Sequence, residues 1–292
     1  MPGAGTCGHV AAHPDGVLGA DFCDDDHPVA LADIVTGKLR LLDCPDPPRE
    51  EPKVYYGSAV AVVGTTSFVA AVNFSGPAIE CGAIYAFPST GPARRIDNPF
   101  PAYEGGFGSR LAAGADYLVT TIGPSSQKPR GAILVLDATG ALVSSMDDAP
   151  EGDVPRRAAL AARGDRIACA LLNVMNDRIP GTVNVFDRRT GALVRTLHGP
   201  SPSDDDGFGG HIAFLDDERL LVGAHGCVHV MDVNTGAVIA TARDPEAGSE
   251  ESFPTALAVI DAGRFAVSGG GLGRSHAYVF DRSGALVAVA RL

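Results

Sequence analysis

"GFGGHIAFLDDERLLVGAHGCVHVMDVNTGAVIATA", residues 207–242, contains one whole structural unit. "HIAFLDDERLLVGA" reads as two apolar strands joined by a tight acidic turn. In "GCVHVMD" apolar residues alternate at period two, the pattern of a strand with side chains on both faces. "NTG" follows, a short loop whose glycine lets the chain reverse with φ > 0 at no Cβ cost. "AVIATA" is the strand that returns. No stretch of the chain sustains a helical stripe, so the unit is four antiparallel strands.

The second half of this unit recurs along the chain. Its instances are "ALADIVTGKLRLL" (30–42), "IYAFPSTGPARRI" (84–96), "LVLDATGALVSS" (134–145), "NVFDRRTGALVRTL" (184–197), "HVMDVNTGAVIATA" (229–242) and "YVFDRSGALVAVA" (278–290). The turn glycines Gly37, Gly91, Gly140, Gly191, Gly236 and Gly284 are 54, 49, 51, 45 and 48 residues apart. Six such units fill all 292 residues as one domain, an all-β, single six-bladed β-propeller with four antiparallel strands per blade. The blades fall at about 6–46, 54–100, 105–148, 154–200, 206–244 and 251–292. Radial closure removes the edges that an open sheet of so many strands would leave.

Composition fits a soluble globular protein: 45% hydrophobic, 20% charged, 36 glycines and 21 prolines. A formal charge of −12 argues against phosphate backbones and anionic membranes, so neither nucleic acid nor a membrane is expected as a partner. The N-terminus "MPGAGTCGHVAAHPDG" has neither a basic leader nor an apolar core, which predicts a cytoplasmic protein. Val54 to Ile79 is a 26-residue stretch without charge, but "GTTS" splits it, so it reads as two buried strands rather than a span. The six cysteines, at 7, 23, 44, 81, 169 and 227, form no CxxC pair and read as buried free thiols, a disulfide being the alternative.

"GFGGHIAFLDDERLLVGAHGCVHVMD" (207–232) and "GFGSRLAAGADYLVTTIGP" (106–124) resemble FG-GAP repeats, the blade type of the integrin α-subunit propeller and of many bacterial proteins. "YYGSAVAVV" (55–63), "DVPRRAALA" (153–161) and "ESFPTALAV" (251–259) look like degraded copies. The chain departs from the integrin pattern in showing six units rather than seven and no swapped strand to close the ring. The resemblance also implies a calcium loop. In "PSDDDGFGG" (202–210), however, only Asp204, Asp206 and Gly207 fit, and Pro202 and Gly210 stand where the outer ligands belong. The expectation is no cofactor, with calcium at this loop or at "DFCDDDHP" (21–28) as the alternative. "RGDR" (163–166) contains the integrin-recognised tripeptide but falls where other units have their first hairpin turn.

Two groups of residues are candidates for a site. "HGCVH" places His225, Cys227 and His229 at i, i+2 and i+4, on one face if all lie in a strand, which suits a metal. The equivalent Thr182 and Asn184, or His276 and Tyr278, favour inter-blade packing instead, and no metal site is expected. The other group comes from aligning the blade starts. The residue three places after the motif aromatic, or after the residue equivalent to it, is His9, Ala59, Arg110, Arg157, His211 or Ala256, at the head of an innermost strand. The second strands return to the same mouth through Asp21, Asn73, Asn173 and His225. This predicts a funnel of His9, Asp21, Arg110, Arg157, His211 and His225, provided that the register holds.

Arginines clamp carboxylate or phosphate, and histidines move protons near neutral pH. The leading expectation is therefore a propeller that binds a small anionic or polar ligand through Arg110, Arg157, Asp21 and His225, or a protein partner through funnel-side loops. One alternative is a metal-independent isomerase, lyase or cyclase with His211 and His9 as catalytic residues. A second is carbohydrate binding, which the lack of any tryptophan disfavours. No GxSxG, HExxH or GxxxxGK(S/T) motif occurs, and "GGGLGRS" (269–275) opens no helix that would cradle phosphate.

Overall fold

The computed structural model describes residues 8–21, 29–46, 55–72, 82–100, 106–122, 131–146, 159–171, 181–200, 207–246, 252–271 and 274–291. Among them there are twenty-four strands in six four-stranded antiparallel sheets, each ordered as in the sequence. This is the all-β, six-bladed propeller architecture. No helix of the described residues is long and apolar enough to cross a membrane.

The chain divides into two compact units, Met1–Arg157 and Ala158–Leu292. The first unit opens with β1 (Gly8–His13), β2 (Gly16–Asp21), β3 (Val29–Ala32) and β4 (Leu39–Leu41). Its second sheet is β5 (Tyr55–Val63), β6 (Thr66–Val72), β7 (Ala83–Phe87) and β8 (Arg94–Asp97). The third is β9 (Leu111–Ala113), β10 (Tyr117–Ile122), β11 (Ala132–Asp137) and β12 (Leu142–Met146). The second unit begins with β13 (Leu160–Arg163), β14 (Arg166–Leu171), β15 (Thr182–Asp187) and β16 (Leu193–His198). Next come β17 (Ile212–Phe214), β18 (Arg219–Ala224), β19 (Cys227–Asp232) and β20 (Val238–Arg243). The last sheet is β21 (Ser252–Asp261), β22 (Arg264–Gly271), β23 (Arg274–Asp281) and β24 (Leu286–Arg291).

Within each unit the first strands of successive sheets are neighbours: β1 beside β5 and β5 beside β9, then β13 beside β17 and β17 beside β21. That makes them the innermost strands, as the repeat alignment requires. The core lies between sheets, because both faces of a middle strand are covered. β6 is buried on both faces along almost its whole length, which explains the uncharged run starting at Val54; the hairpin turn falls at Gly64 and Thr65. Phe68, Ile84, Phe107, Leu118 and Leu134 pack the second sheet on the third. Val183, Val185, Phe208, Leu220 and Val222 do the same for the fourth and fifth.

The recurring Asp-to-Gly turn has a second organiser beside its glycine. In the turns at Asp33, Asp137, Asp187, Asp232 and Asp281, the aspartate carbonyl accepts the glycine N–H at 2.8–2.9 Å. Its carboxylate Oδ1 also accepts from turn amides, for example Asn234 N–H and Thr235 N–H, both at 2.8 Å from Asp232. Such local acceptors are why aspartate dominates this position. Beyond the turn, β12, β16, β20 and β24 each carry one extra residue opposite the third strand, a β-bulge. Bulges sharpen local twist; here they leave Val143, Ile239 and Val287 exposed on the outer strands.

Candidate functional site

The two full copies of the FG motif build the same turn. Ser109 N–H donates to Gly106 O, and Gly210 N–H to Gly207 O, each at 3.0 Å. The enclosed Phe107 and Phe208 are completely buried between sheets. The glycine after each aromatic has positive φ, 83° at Gly108 and 93° at Gly209. Each also presses on the preceding sheet: a Cβ would meet Ala70 and Ile84 at 3.2 Å from Gly108, and Ala170 at 3.0 Å from Gly209. Gly57 repeats the arrangement against Ala20 and Val29. The motif is thus an aromatic wedge held by glycines that only a missing side chain can accommodate.

Arg110 and His211 follow these turns directly, one residue before β9 and β17, and both are half-buried. Arg110 is fixed through its backbone. Thr120 Oγ1 donates to Arg110 O at 2.9 Å and accepts Gly108 N–H at 3.2 Å, while Arg110 itself reaches Ser109 O at 2.8 Å. His211 O accepts Gly223 N–H at 2.7 Å. A Cβ on Gly223 would meet Pro254 Cγ at 2.8 Å and His211 Cβ at 3.3 Å, so glycine here lets the histidine and the next sheet close in.

In the second unit His211 and His225 belong to the same sheet. His225 is exposed and lies past the end of β18, in the two-residue turn with Gly226. The sequence expectation put it at a strand end; Gly226, with φ of 71°, instead makes the pair a tight hairpin turn. His225 therefore does not share a strand face with Cys227 and His229. In the first unit His9 pairs with Ala20 and Asp21 with Gly8, so the two lie at one end of adjoining strands. Arg157, Asn73 and Asn173 lie outside the described residues, as do "SDDD" at 203–206, residues 22–28 of the other acidic loop, and the acidic connectors at 47–54, 147–158 and 247–251.

Cys227 and His229 are both buried, in keeping with inter-blade packing. Cys227 Sγ lies 3.5 Å from His229 Nε2, and His229 Nδ1 lies 3.0 Å from Thr241 Oγ1. The equivalent pair in the fourth sheet is Asn184 Oδ1 accepting from Thr196 Oγ1 at 2.7 Å. Cys44, Cys169 and Cys227 are free thiols, and burial pushes Cys169 up to about 12. No group of three metal-ligating side chains is assembled among the described residues.

Both charged residues of the RGD tripeptide are engaged in ion pairs around the β13–β14 turn. Arg163 Nε donates to Asp217 Oδ1 at 3.1 Å, and Asp165 takes Arg188 at 3.2 Å and Arg189 at 2.5 Å. Sequence reasoning missed a further polar cluster in the first unit. Tyr56 OH donates to Leu42 O and Tyr85 OH to Asp46 Oδ2, both at 2.7 Å, and Arg95 bonds Asp46 as well. Burial, first of all, holds both phenols well above the ordinary tyrosine range. Nothing in the spacing of two tyrosines 29 residues apart signals that they latch the segment after β4 onto the second sheet.

No family model matches the chain, and no curated protein matches it. Solved structures do. The Dos1 propeller aligns with a TM-score of 0.59 at 12% identity, over 99% of this chain and 73% of that one. Hydrazine synthase from Kuenenia stuttgartiensis gives 0.55 at 15%, over 97% and 83%. TolB from Acinetobacter baumannii gives 0.54 at 13%, over 92% and 60%, so this chain spans less than two thirds of its length. At such identities the likeness concerns the fold, and the fold is that of a six-bladed β-propeller.

Proposed function

We propose that this protein is a binding propeller of FG-GAP type, which recognises a small anionic or polar ligand through side chains at the heads of its first strands. The observation that carries the reading is the pair of identical FG turns. They set Arg110 and His211 at the same repeat position, each half-buried and each on a backbone pinned by the adjoining second strand. A rigid turn that presents a guanidinium or an imidazole suits carboxylate or phosphate recognition. His9, Asp21, Arg157 and His225 are proposed as further ligand contacts on repeat position alone. No cofactor forms part of this reading.

The test is a thermal-shift screen with inorganic phosphate and a panel of di- and tricarboxylates. A hit would be followed by calorimetry on the wild type, Arg110→Ala and His211→Ala. Binding lost in either variant, with the melting temperature of the free protein little changed, is the expected result. A hit unaffected by both substitutions, or no hit in the panel, overturns the proposal. Turnover of a bound ligand that His211→Ala abolishes would favour the enzyme reading, with His211 and His9 as proton-transfer groups.

A further inference from the structure

We propose that Cys227 is a reactive thiol, activated by His229 and oriented through Thr241, which small hydroperoxides oxidise to the sulfenic acid. The inference is independent of the ligand-binding reading. Sγ of Cys227, the imidazole of His229 and Oγ1 of Thr241 form a chain with steps of 3.5 and 3.0 Å. That is the geometry of a nucleophile, a base and a group orienting the base. With Nδ1–H directed at Thr241, the Nε2 lone pair faces the sulfur and accepts its proton.

The repeat shows what is particular to this blade. Asn184 and Thr196 fill the places of His229 and Thr241 in the fourth sheet, but the residue corresponding to Cys227 there is Thr182. A polar pair at these places occurs in the fourth and fifth sheets, whereas the base with its neighbouring thiol is special to the fifth. Access is limited to small reagents. Cys227 is 8% exposed and begins β19 immediately after the exposed His225 turn, while Cys169 is 1% exposed in mid-strand. Among the described residues, the titratable and charged groups flanking the pair are His225, Arg243, which stands directly across from Cys227 on β20, and Arg195 on the facing β16. Beside Arg195, the surface that the fourth sheet turns to the pair is apolar at Val183, Val185 and Leu197, and the Phe208 ring lies 6.3 Å from that of His229. An arginine on the same face also favours the thiolate.

In the reaction the thiolate sulfur attacks one peroxide oxygen, forming the S–O bond as the O–O bond breaks. The sulfur gives up two electrons, and the hydroxide released takes the proton from imidazolium His229 as water. The product places an S–OH group within the packing between the fourth and fifth sheets, which loosens that contact.

The experiment treats the folded protein with hydrogen peroxide, traps sulfenic acid with dimedone, and maps the adducts by peptide mass spectrometry from pH 6 to 9. The expected result is modification of Cys227 at least tenfold faster than Cys169, with a rate that persists below pH 7. His229→Phe should lower the rate at pH 7 about tenfold and move the profile to the ordinary thiol range. Thr241→Val should fall between the two. Modification of Cys227 no faster than of Cys169, or a rate and profile unchanged by His229→Phe, overturns the proposal. Should His229→Phe not fold, the wild-type profile decides: a rate that rises only through pH 8–9 overturns it.

Discussion

Gly209 rests against Ala170 of the preceding sheet so closely that a Cβ on the glycine would lie 3.0 Å from the alanine's own. The contact recurs between Gly108 and Ala70 and between Gly57 and Ala20. It explains why the repeat spells an aromatic followed by glycine. The aromatic fills the gap between sheets, and the glycine brings the backbone near enough for it to do so.

Gly209→Ala therefore combines a strained φ of 93° with a clash. Gly37 has φ of 68° and open space around its Cβ position, so Gly37→Ala shows the strain alone. Urea unfolding should find a loss of about 1–2 kcal/mol for Gly37→Ala and about 2–4 kcal/mol for Gly209→Ala. Equal losses would deny the packing role of the motif glycine.

Phe208 is wholly enclosed between the fourth and fifth sheets. Phe208→Ala should cost about 3–5 kcal/mol, and Phe107→Ala a similar amount in the first unit. Retention of wild-type stability in Phe208→Ala, measured by denaturant unfolding, would show that the wedge is dispensable.

The turn aspartates make stability depend on pH. Amide and hydroxyl donors of the turn hold Asp33, Asp137, Asp187, Asp232 and Asp281 below the usual carboxylate range, the Thr235 amide being foremost for Asp232 and the Thr139 side chain for Asp137. A carboxylate whose folded pKa is lowered contributes stability that is present above its unfolded pKa and lost as pH falls through the folded value. Stability should hold from neutrality to about pH 4–5 and decline steadily below. Asp232→Asn keeps an acceptor oxygen but not the charge. Its deficit against the wild type should be present at pH 7 and shrink towards pH 2, as read from unfolding midpoints.

Thr196 and Asn184 form a partly buried hydrogen bond across β15 and β16. Thr196→Val leaves the amide oxygen unpaired and should cost about 1–3 kcal/mol. Asn184→Leu combined with Thr196→Val should recover part of that loss. Strict additivity in a double-mutant cycle would argue against coupling between the two.

The sequence by itself determined the number of blades, the strands and their turns, because a period-two apolar pattern closed by Asp and Gly leaves the local backbone little choice. It also placed Arg110 and His211 at one repeat position. Tertiary structure decided what repeat position cannot express. His225 left its expected strand end because Gly226 closes a two-residue turn there. Tyr56 and Tyr85 met edge to face, 5.8 Å apart, beside the segment after β4 because packing of neighbouring sheets, not spacing, brings them there. His229 kept Cys227 on the strand face that the i, i+2 spacing predicts but gained Thr241 as a cross-strand neighbour, because which groups of β19 and β20 meet on one face depends on register.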